Sequence, residues 1–163
     1  MKTSSLCLAA LAASVTMTAV AAAGPEAAKQ RVRISMKNPD SGSGKFVLTP
    51  LQAGTLKRDS GTVSVVHTDL PGVMRQGQQI FVVRNTFTLK GKRGSLSIRE
   101  RTEWVNVSNE KAPGFDFTPG VAIGTWKVVG GTGAYAKVTG SGRSGHLGSP
   151  HWLAQQEGFL TLP

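Results

Sequence analysis

Apolar and polar residues alternate at every second position through most of the chain. In the longest such run, Phe81, Val83, Asn85, Phe87 and Leu89 fall on one face, with mainly basic and hydroxyl side chains between them. A period of two indicates a strand with one buried and one solvent-facing side. Comparable runs occur at 31–36, 46–49, 62–68, 96–104, 121–129 and 158–162. The pattern predicts an all-β domain of seven or eight short strands with no amphipathic helix.

Turn-forming residues separate these runs. Gly, Pro, Asp and Ser are concentrated at 58–61, 70–72 and 90–94, which predicts a turn at each of these places. The longest irregular stretch, 106–120, carries Phe115 and Phe117. We expect these aromatics to plug one end of the fold or an oligomer contact, with a lid over a cavity as the alternative.

A glycine-rich segment follows the run at 121–129. The spacing of Gly131, Gly133 and Ala136 has the outline of a dinucleotide-binding loop, but such a loop requires a helix directly after it. The residues that follow are too rich in glycine and β-branched side chains to form one. We therefore expect a tight hairpin turn at 130–133, and a bulge or a close strand approach at Gly140 and Gly142.

The first 23 residues have the features of a secretory signal peptide. Lys2 precedes an apolar segment, 6–20, that is short for a membrane span, and small residues up to Ala23 offer a cleavage site. Cleavage would leave one domain, 24–163, in the periplasm or outside the cell, with no later segment predicted to span a membrane. It would also remove Cys7, the only cysteine, which excludes disulfides and thiolate chemistry in the mature protein.

The chain is strongly basic. It has 19 Lys and Arg residues against 9 Asp and Glu, a formal net charge of +10. Such a surface favours anionic surroundings, and we expect an anionic envelope surface as a partner. Nucleic acid is the least favoured anion, because binding of single strands needs aromatic side chains among the basic ones. The outward positions Arg84, Lys90, Arg99 and Arg101 have none between them.

Several glycine motifs resemble those of a known superfamily. Gly124-x-Trp126, the hexapeptide GTGAYA at 131–136 and Gly140-x-Gly142 resemble the signature of the allene oxide cyclase barrel-like proteins, relatives of plant dirigent proteins. Segments 44–48, 59–62 and 91–96 support the resemblance. It implies an eight-stranded antiparallel barrel with a hydrophobic axial cavity, often assembled as a homo-oligomer. Plant members cyclise an oxylipin epoxide or direct phenoxy-radical coupling. Because the shared motifs specify turns, no catalytic role is transferred to residues of this chain.

Three polar residues lie in phase with apolar ones and are candidate catalytic residues. Glu100 shares a face with Ile98, and desolvation there is expected to raise its pKa, which suits proton transfer. Asn85 would hold a carbonyl group or a water molecule, and His67 would share the proton. The alternative is that bulges turn these side chains outward or that they lie at a wet rim. The expected ligand-binding wall consists of Phe46, Leu48, Phe81, Leu96, Trp104 and Trp126.

Two functions remain open on this basis. The first is binding of a small hydrophobic or aromatic molecule inside the barrel, with or without cofactor-independent isomerase, cyclase or stereo-directing chemistry. The second is a non-enzymatic role in the cell envelope, binding an anionic polymer or lipid through the basic surface. No metal or cofactor is expected. His146 and His151 lie in a Gly/Ser/Pro-rich segment and are predicted to be solvated.

Overall fold

The protein is an eight-stranded antiparallel barrel. The computed structural model describes residues 28–39, 44–108, 119–148 and 152–163. Each strand pairs with the next, and the last pairs with the first, which closes the ring. This confirms the all-β barrel prediction; the predicted signal peptide lies outside the described residues. The strands are β1 (Lys29–Lys37), β2 (Lys45–Pro50), β3 (Asp59–Arg75), β4 (Gln78–Gly91), β5 (Gly94–Asn106), β6 (Gly120–Gly131), β7 (Thr139–Gly148) and β8 (Trp152–Thr161).

The two ends of the barrel have different connections. At the end where β1, β3, β5 and β7 finish, here called the upper end, the strands are joined by 38–44, the β3–β4 turn, 107–119 and 149–151. Phe115 and Phe117 belong to the β5–β6 connection and lie outside the described residues. At the lower end, Ala28 accepts a hydrogen bond from the backbone N–H of Leu162, 3.1 Å away.

Alternating side chains fill the interior. Along β1 every second residue is buried, as the sequence pattern predicts, and β5 is buried in the same way from Leu96 to Thr102. Burial of this apolar surface is the main driving force for folding. The inward side chains form one core cluster that includes Val32, Ile34, Met36, Phe46, Leu48, Val63, Phe87, Leu89, Leu96, Ile98, Trp126, Ala154 and Leu160.

Two of the three predicted turns are wrong. The β3–β4 turn is instead formed by Gln76 and Gly77, whose φ values are 50° and 78°. Positive φ at both central residues is typical of a type I′ turn, whose twist matches that of the two strands it joins. The segment 70–72 instead lies within β3, where the pairing with β4 shifts between Leu70 and Val73. A proline has no N–H for the ladder and is tolerated at such an irregularity. Most of 58–61 also belongs to β3, whereas the turn between Gly91 and Gly94 is confirmed.

The predicted tight turn at 130–133 is also wrong. β6 and β7 are joined by residues 132–138, which include a 3₁₀ turn at Gly133–Tyr135. The bulge lies earlier, because Ile98 pairs with Val128 while Ser97 pairs with Gly130. The close strand approach expected at Gly142 is confirmed, since a Cβ atom there would overlap the carbonyl oxygen of Glu157.

Candidate functional site

A carboxylate lies inside the barrel. Glu100, on the inner face of β5, is only 1% exposed. Its cross-strand neighbours are Asn85 in β4 and Trp126 in β6, and both are buried. Glu100 and Asn85 therefore point inward, as the alternation predicts. An ionised group in such a place requires partners, because removal from water costs several kcal/mol.

Side chains from three other strands supply those partners. Asn85 Nδ2 donates to Glu100 Oε2 at 3.1 Å, and Gln156 Nε2 in β8 donates to Oε1 at 3.2 Å. His146 Nε2 in β7 lies 2.9 Å from Oε2, a close contact although not aligned as a hydrogen bond. One carboxylate thus links β5 to β4, β7 and β8, and charged hydrogen bonds of this kind are stronger than neutral ones.

The expected raised pKa of Glu100 is wrong. Burial raises the pKa, but the His146 ring 2.9 Å away, together with the Ser144 hydroxyl and the Asn85 amide, outweighs burial and brings the pKa below its ordinary value. The Ser144 Oγ is close enough to contribute although it has no aligned partner. Glu100 is therefore an anion at neutral pH, which makes it an acceptor and an electrostatic anchor rather than an acid.

The Glu100 anion connects to His67 through Asn85. Because Asn85 Nδ2 donates to Glu100, its Oδ1 must act as an acceptor. His67 Nδ1 lies 2.8 Å from that oxygen and must therefore carry the proton. His67 is exposed and stacks on Trp152, with ring centroids 5.1 Å apart. In the described part of the chain no group bonds to its Nε2, so a neutral His67 presents an accessible lone pair there.

His146 completes the site, and its predicted solvation is wrong. It lies in β7, is 5% exposed and has its Nε2 beside Glu100. Trp152 Nε1 donates to His146 Nδ1 at 3.1 Å, so the proton of the neutral ring is on Nε2. In the sequence His146 is in phase with Ser144 and Gly142, but neither is apolar, so the alternation does not mark this face as buried. His151 lies outside the described residues.

The Gly124-x-Trp126 motif makes room for these contacts. Gly124 lies between Thr102 and Ser144, and a Cβ atom there would come within 2.8 Å of Thr102 Cγ2 and 3.0 Å of Ser144 Oγ. Because position 124 has no side chain, groups from β5 and β7 meet across β6. Trp126 donates its indole N–H to the carbonyl oxygen of Arg143 at 3.0 Å and packs over Gly158.

The predicted wall residues have different environments. Phe46, Leu48, Leu96 and Trp126 are all at most 2% exposed and belong to the core cluster. Trp104 is half-buried, whereas Phe81 is 41% exposed and does not form the enclosed wall we expected. β2 pairs with β3 only over Asp59, Ser60, Gly61 and Thr62, so the upper part of the β3–β4 hairpin extends past its neighbour.

We expect the free energy of unfolding to depend on whether Glu100 is ionised. A lowered folded-state pKa contributes stability that is present above about pH 4.5 and is lost as the pH falls through the folded-state pKa. Glu100→Gln should therefore be less stable than wild type by about 1–3 kcal/mol at pH 7, with the difference shrinking in acid. Urea unfolding at several pH values measures both effects.

Glu157→Gln is the matched control. Glu157 is a half-buried carboxylate of β8 that pairs with the exposed side chains of Arg33 at 2.7 Å and Arg31 at 3.4 Å. Exposed pairs contribute at most about 1 kcal/mol, so this variant should change stability little. A Glu100→Gln protein that keeps wild-type stability at pH 7 would contradict the account of Glu100 given above.

No family model, curated protein or solved structure matches the chain. Within the described residues there is no group of three His, Cys, Asp or Glu side chains placed to hold a metal ion. The same residues contain no helix long and apolar enough to cross a membrane. The functional conclusion therefore depends on the geometry of the site.

Proposed function

We propose that the barrel binds a small hydrophobic or aromatic molecule beside His67 and Trp152, and that His67 exchanges a proton with it. The observation that carries this proposal is the hydrogen-bonded chain from His67 through Asn85 to Glu100. A base held by a second group that is itself held by a buried carboxylate is a recurrent arrangement in proton-transfer sites. The roles differ from the expectation in that Glu100 supports the base and His67 is the base.

The hydrogen bonds from His67 through Asn85 to Glu100 account for the protonation states that such a reaction needs. Neutral His67 accepts a proton at Nε2 while Nδ1 keeps its proton on Asn85. After this transfer Nδ1 still donates to Asn85 Oδ1, and Asn85 Nδ2 still donates to Glu100. Returning the proton to a different atom of the same ligand completes an isomerisation without any cofactor. This chemistry matches the cofactor-independent isomerase or cyclase activity that the sequence leaves open.

The side chains around His67, Asn85 and Glu100 favour an aromatic ligand with one polar group. Trp152 lies between His67 and His146, and its ring is 6.4 Å from that of Phe87. Ser144 Oγ and Gln156 Oε1 are buried without a hydrogen-bond partner in the described part of the chain. Buried polar atoms of this kind usually bind a ligand or an ordered water molecule. A ligand hydroxyl group would suit this place, because it can donate to Gln156 Oε1 beside Ser144.

Nitrogen NMR of the histidine rings tests the arrangement directly. We expect His67 as the Nδ1–H tautomer and His146 as the Nε2–H tautomer in the same sample at neutral pH. Addition of N-phenyl-1-naphthylamine, an uncharged aromatic probe, should shift the His67 Nε2 resonance and increase the probe's fluorescence. Trp152→Leu should weaken probe binding by about tenfold, because it removes an aromatic contact surface.

Thr68→Gln, an exposed substitution next to His67, is the control and should bind the probe like wild type. Finding His67 as the Nε2–H tautomer would rule out the proposed base. Probe binding that leaves the His67 resonances unchanged, or that survives in Trp152→Leu, would place the ligand elsewhere.

A further inference from the structure

The outer face of β6, β7 and β8 carries exposed apolar side chains in register. Val121 lies opposite Leu147, which lies opposite Leu153, and these three are 41–45% exposed. Ile123, the next outward residue of β6, is 72% exposed. We call these four residues the apolar row. A contiguous exposed apolar surface of this kind marks an interaction site more often than isolated apolar residues do.

A basic groove lies beside the apolar row, on β4 to β7. It has a volume of about 550 Å³ and is lined by five cations, Arg84, Arg99, Arg101, Lys127 and Arg143. Arg84 lies directly opposite Arg101, and Arg99 directly opposite Lys127. Like charges facing each other across a strand pair destabilise a sheet, so this arrangement has a cost that an anionic partner would remove.

The neighbouring carboxylates do not neutralise the groove. Glu100 is among the residues that line it, but this carboxylate is 1% exposed and is bound inside the barrel by Asn85 and Gln156. Glu103 is bound by Arg75 at 2.7 Å and by Arg101 at 3.3 Å, and these contacts lower its pKa so that it stays ionised. Of the groove residues, only Arg101 has a carboxylate within 4.0 Å among the described residues. Arg84, Arg99, Lys127 and Arg143 therefore keep their charge available.

We propose that this face docks on the surface of a bilayer containing anionic phospholipid, with the apolar row at the acyl boundary and the basic groove at the phosphates. Arg101 in β5 and Arg143 in β7 both lie opposite Thr125 in β6, which is two residues from Ile123, or about 7 Å along the strand. The headgroup layer of each leaflet is about 5–8 Å thick, so the two sets of side chains match its depth. Each basic residue near an anionic membrane surface strengthens binding, as does buried apolar area.

Other occupants fit this face less well. A soluble polyanion would use the cations but leave the apolar row unexplained. A nucleic acid strand would require stacking aromatics, and the outward groove side chains are basic or hydroxylic. A second copy of the chain would bring one set of unpaired cations against another.

The test is cosedimentation of the full chain with vesicles of equal parts phosphatidylcholine and phosphatidylglycerol. Wild type should bind these vesicles and lose binding in high salt, because screening weakens charge attraction. Lys127→Gln/Arg143→Gln should weaken binding on the order of 30-fold. Ile123→Thr/Leu147→Thr should weaken it about tenfold through lost apolar insertion. Wild type and all variants contain residues 1–27, so any contribution of this segment to vesicle binding cancels when their affinities are compared.

Lys57→Gln/Arg58→Gln removes the same charge from exposed positions between β2 and β3 at the lower end, and should change binding less than about threefold. An equal loss in this control would show that net charge alone is responsible, which overturns the proposal. It is also overturned if the Ile123/Leu147 variant binds like wild type while inorganic polyphosphate competes fully, since a soluble polyanion would then be the partner. A dimer in the absence of vesicles that the Ile123/Leu147 variant abolishes would assign the face to self-association. None of these outcomes depends on the His67 site.

Discussion

Gly142→Ala is expected to destabilise the barrel by about 3–5 kcal/mol, which is a large part of the stability of a typical domain. Gly142 in β7 lies opposite Gly158 in β8, and a Cβ atom at 142 would overlap the carbonyl oxygen of Glu157 and come within 2.7 Å of Gly158 Cα. Both neighbours are backbone atoms of β8, so they can move only if the pairing of β7 with β8 is disturbed. Urea unfolding of the two proteins measures the difference.

Gly145→Ala is the control from the same strand. A Cβ atom at Gly145 meets nothing within 4 Å, and its φ is not positive, so alanine fits there. We expect a change of at most about 0.5 kcal/mol. If the two alanine variants had the same unfolding midpoint, the close contact between β7 and β8 would not limit stability.

Asp59→Ala is expected to cost a similar amount, about 3–5 kcal/mol, through lost hydrogen bonds at the lower end. Asp59 is 5% exposed and its carboxylate accepts from the Tyr135 hydroxyl at 2.9 Å and from the backbone N–H groups of Lys92 and Arg93 at 3.2 and 3.4 Å. Its Oδ1 also accepts from the N–H of Ser60 at 2.8 Å. Alanine would leave all these donors without their acceptor in a partly buried place.

Tyr135→Phe separates the single phenol bond from the rest. Burial, together with the bond to Asp59, raises the pKa of Tyr135, so the phenol is protonated at neutral pH and donates to the Asp59 carboxylate. Its removal should cost about 1–2 kcal/mol, less than Asp59→Ala. Thermal unfolding of both variants provides the comparison, and equal losses would mean that the backbone donors of the β4–β5 turn contribute nothing.

This lower-end cluster explains why several of the glycine-containing segments carry information about the fold and not about the chemistry. Tyr135 comes from the GTGAYA segment and Asp59 from the segment 59–62, and the two side chains bond to each other. A Cβ atom at Gly91 would overlap the Asp59 carboxylate. The third segment, 91–96, therefore needs a glycine at this position. These three segments therefore seal the lower end of the barrel, whereas the Gly124-x-Trp126 motif lies beside the carboxylate network.

The period-two pattern located the strands because one face of each was apolar, and β7 shows where this signal fails. Its inward residues are Gly140, Gly142, Ser144 and His146, which are small or polar because Trp126 and the Glu100 network occupy the space beside them. Without apolar side chains the segment looked like a loop, and His146 was misplaced.

The candidate site was predictable only in part for a related reason. The phase of Asn85 and Glu100 within their own strands showed that both point inward. The pKa of Glu100 depends on His146 and Ser144, which lie more than 40 positions further along the chain, so their proximity comes only from barrel closure. Burial was visible in the sequence and the compensating donors were not, which is why the predicted direction of the shift was wrong.

Because β1 pairs with β8, the two ends of the barrel sequence lie next to each other. The strands could therefore keep their neighbours if the chain began and ended at a different turn. Lys29 pairs with Thr161, and the N–H of Leu162 reaches the carbonyl oxygen of Ala28. A linker of a few residues could join these two points, and new termini could then open at Gln76–Gly77, an exposed two-residue turn at the opposite end. The same ring of eight strands would then start in the middle of the present sequence, so the barrel is a scaffold suited to circular permutation.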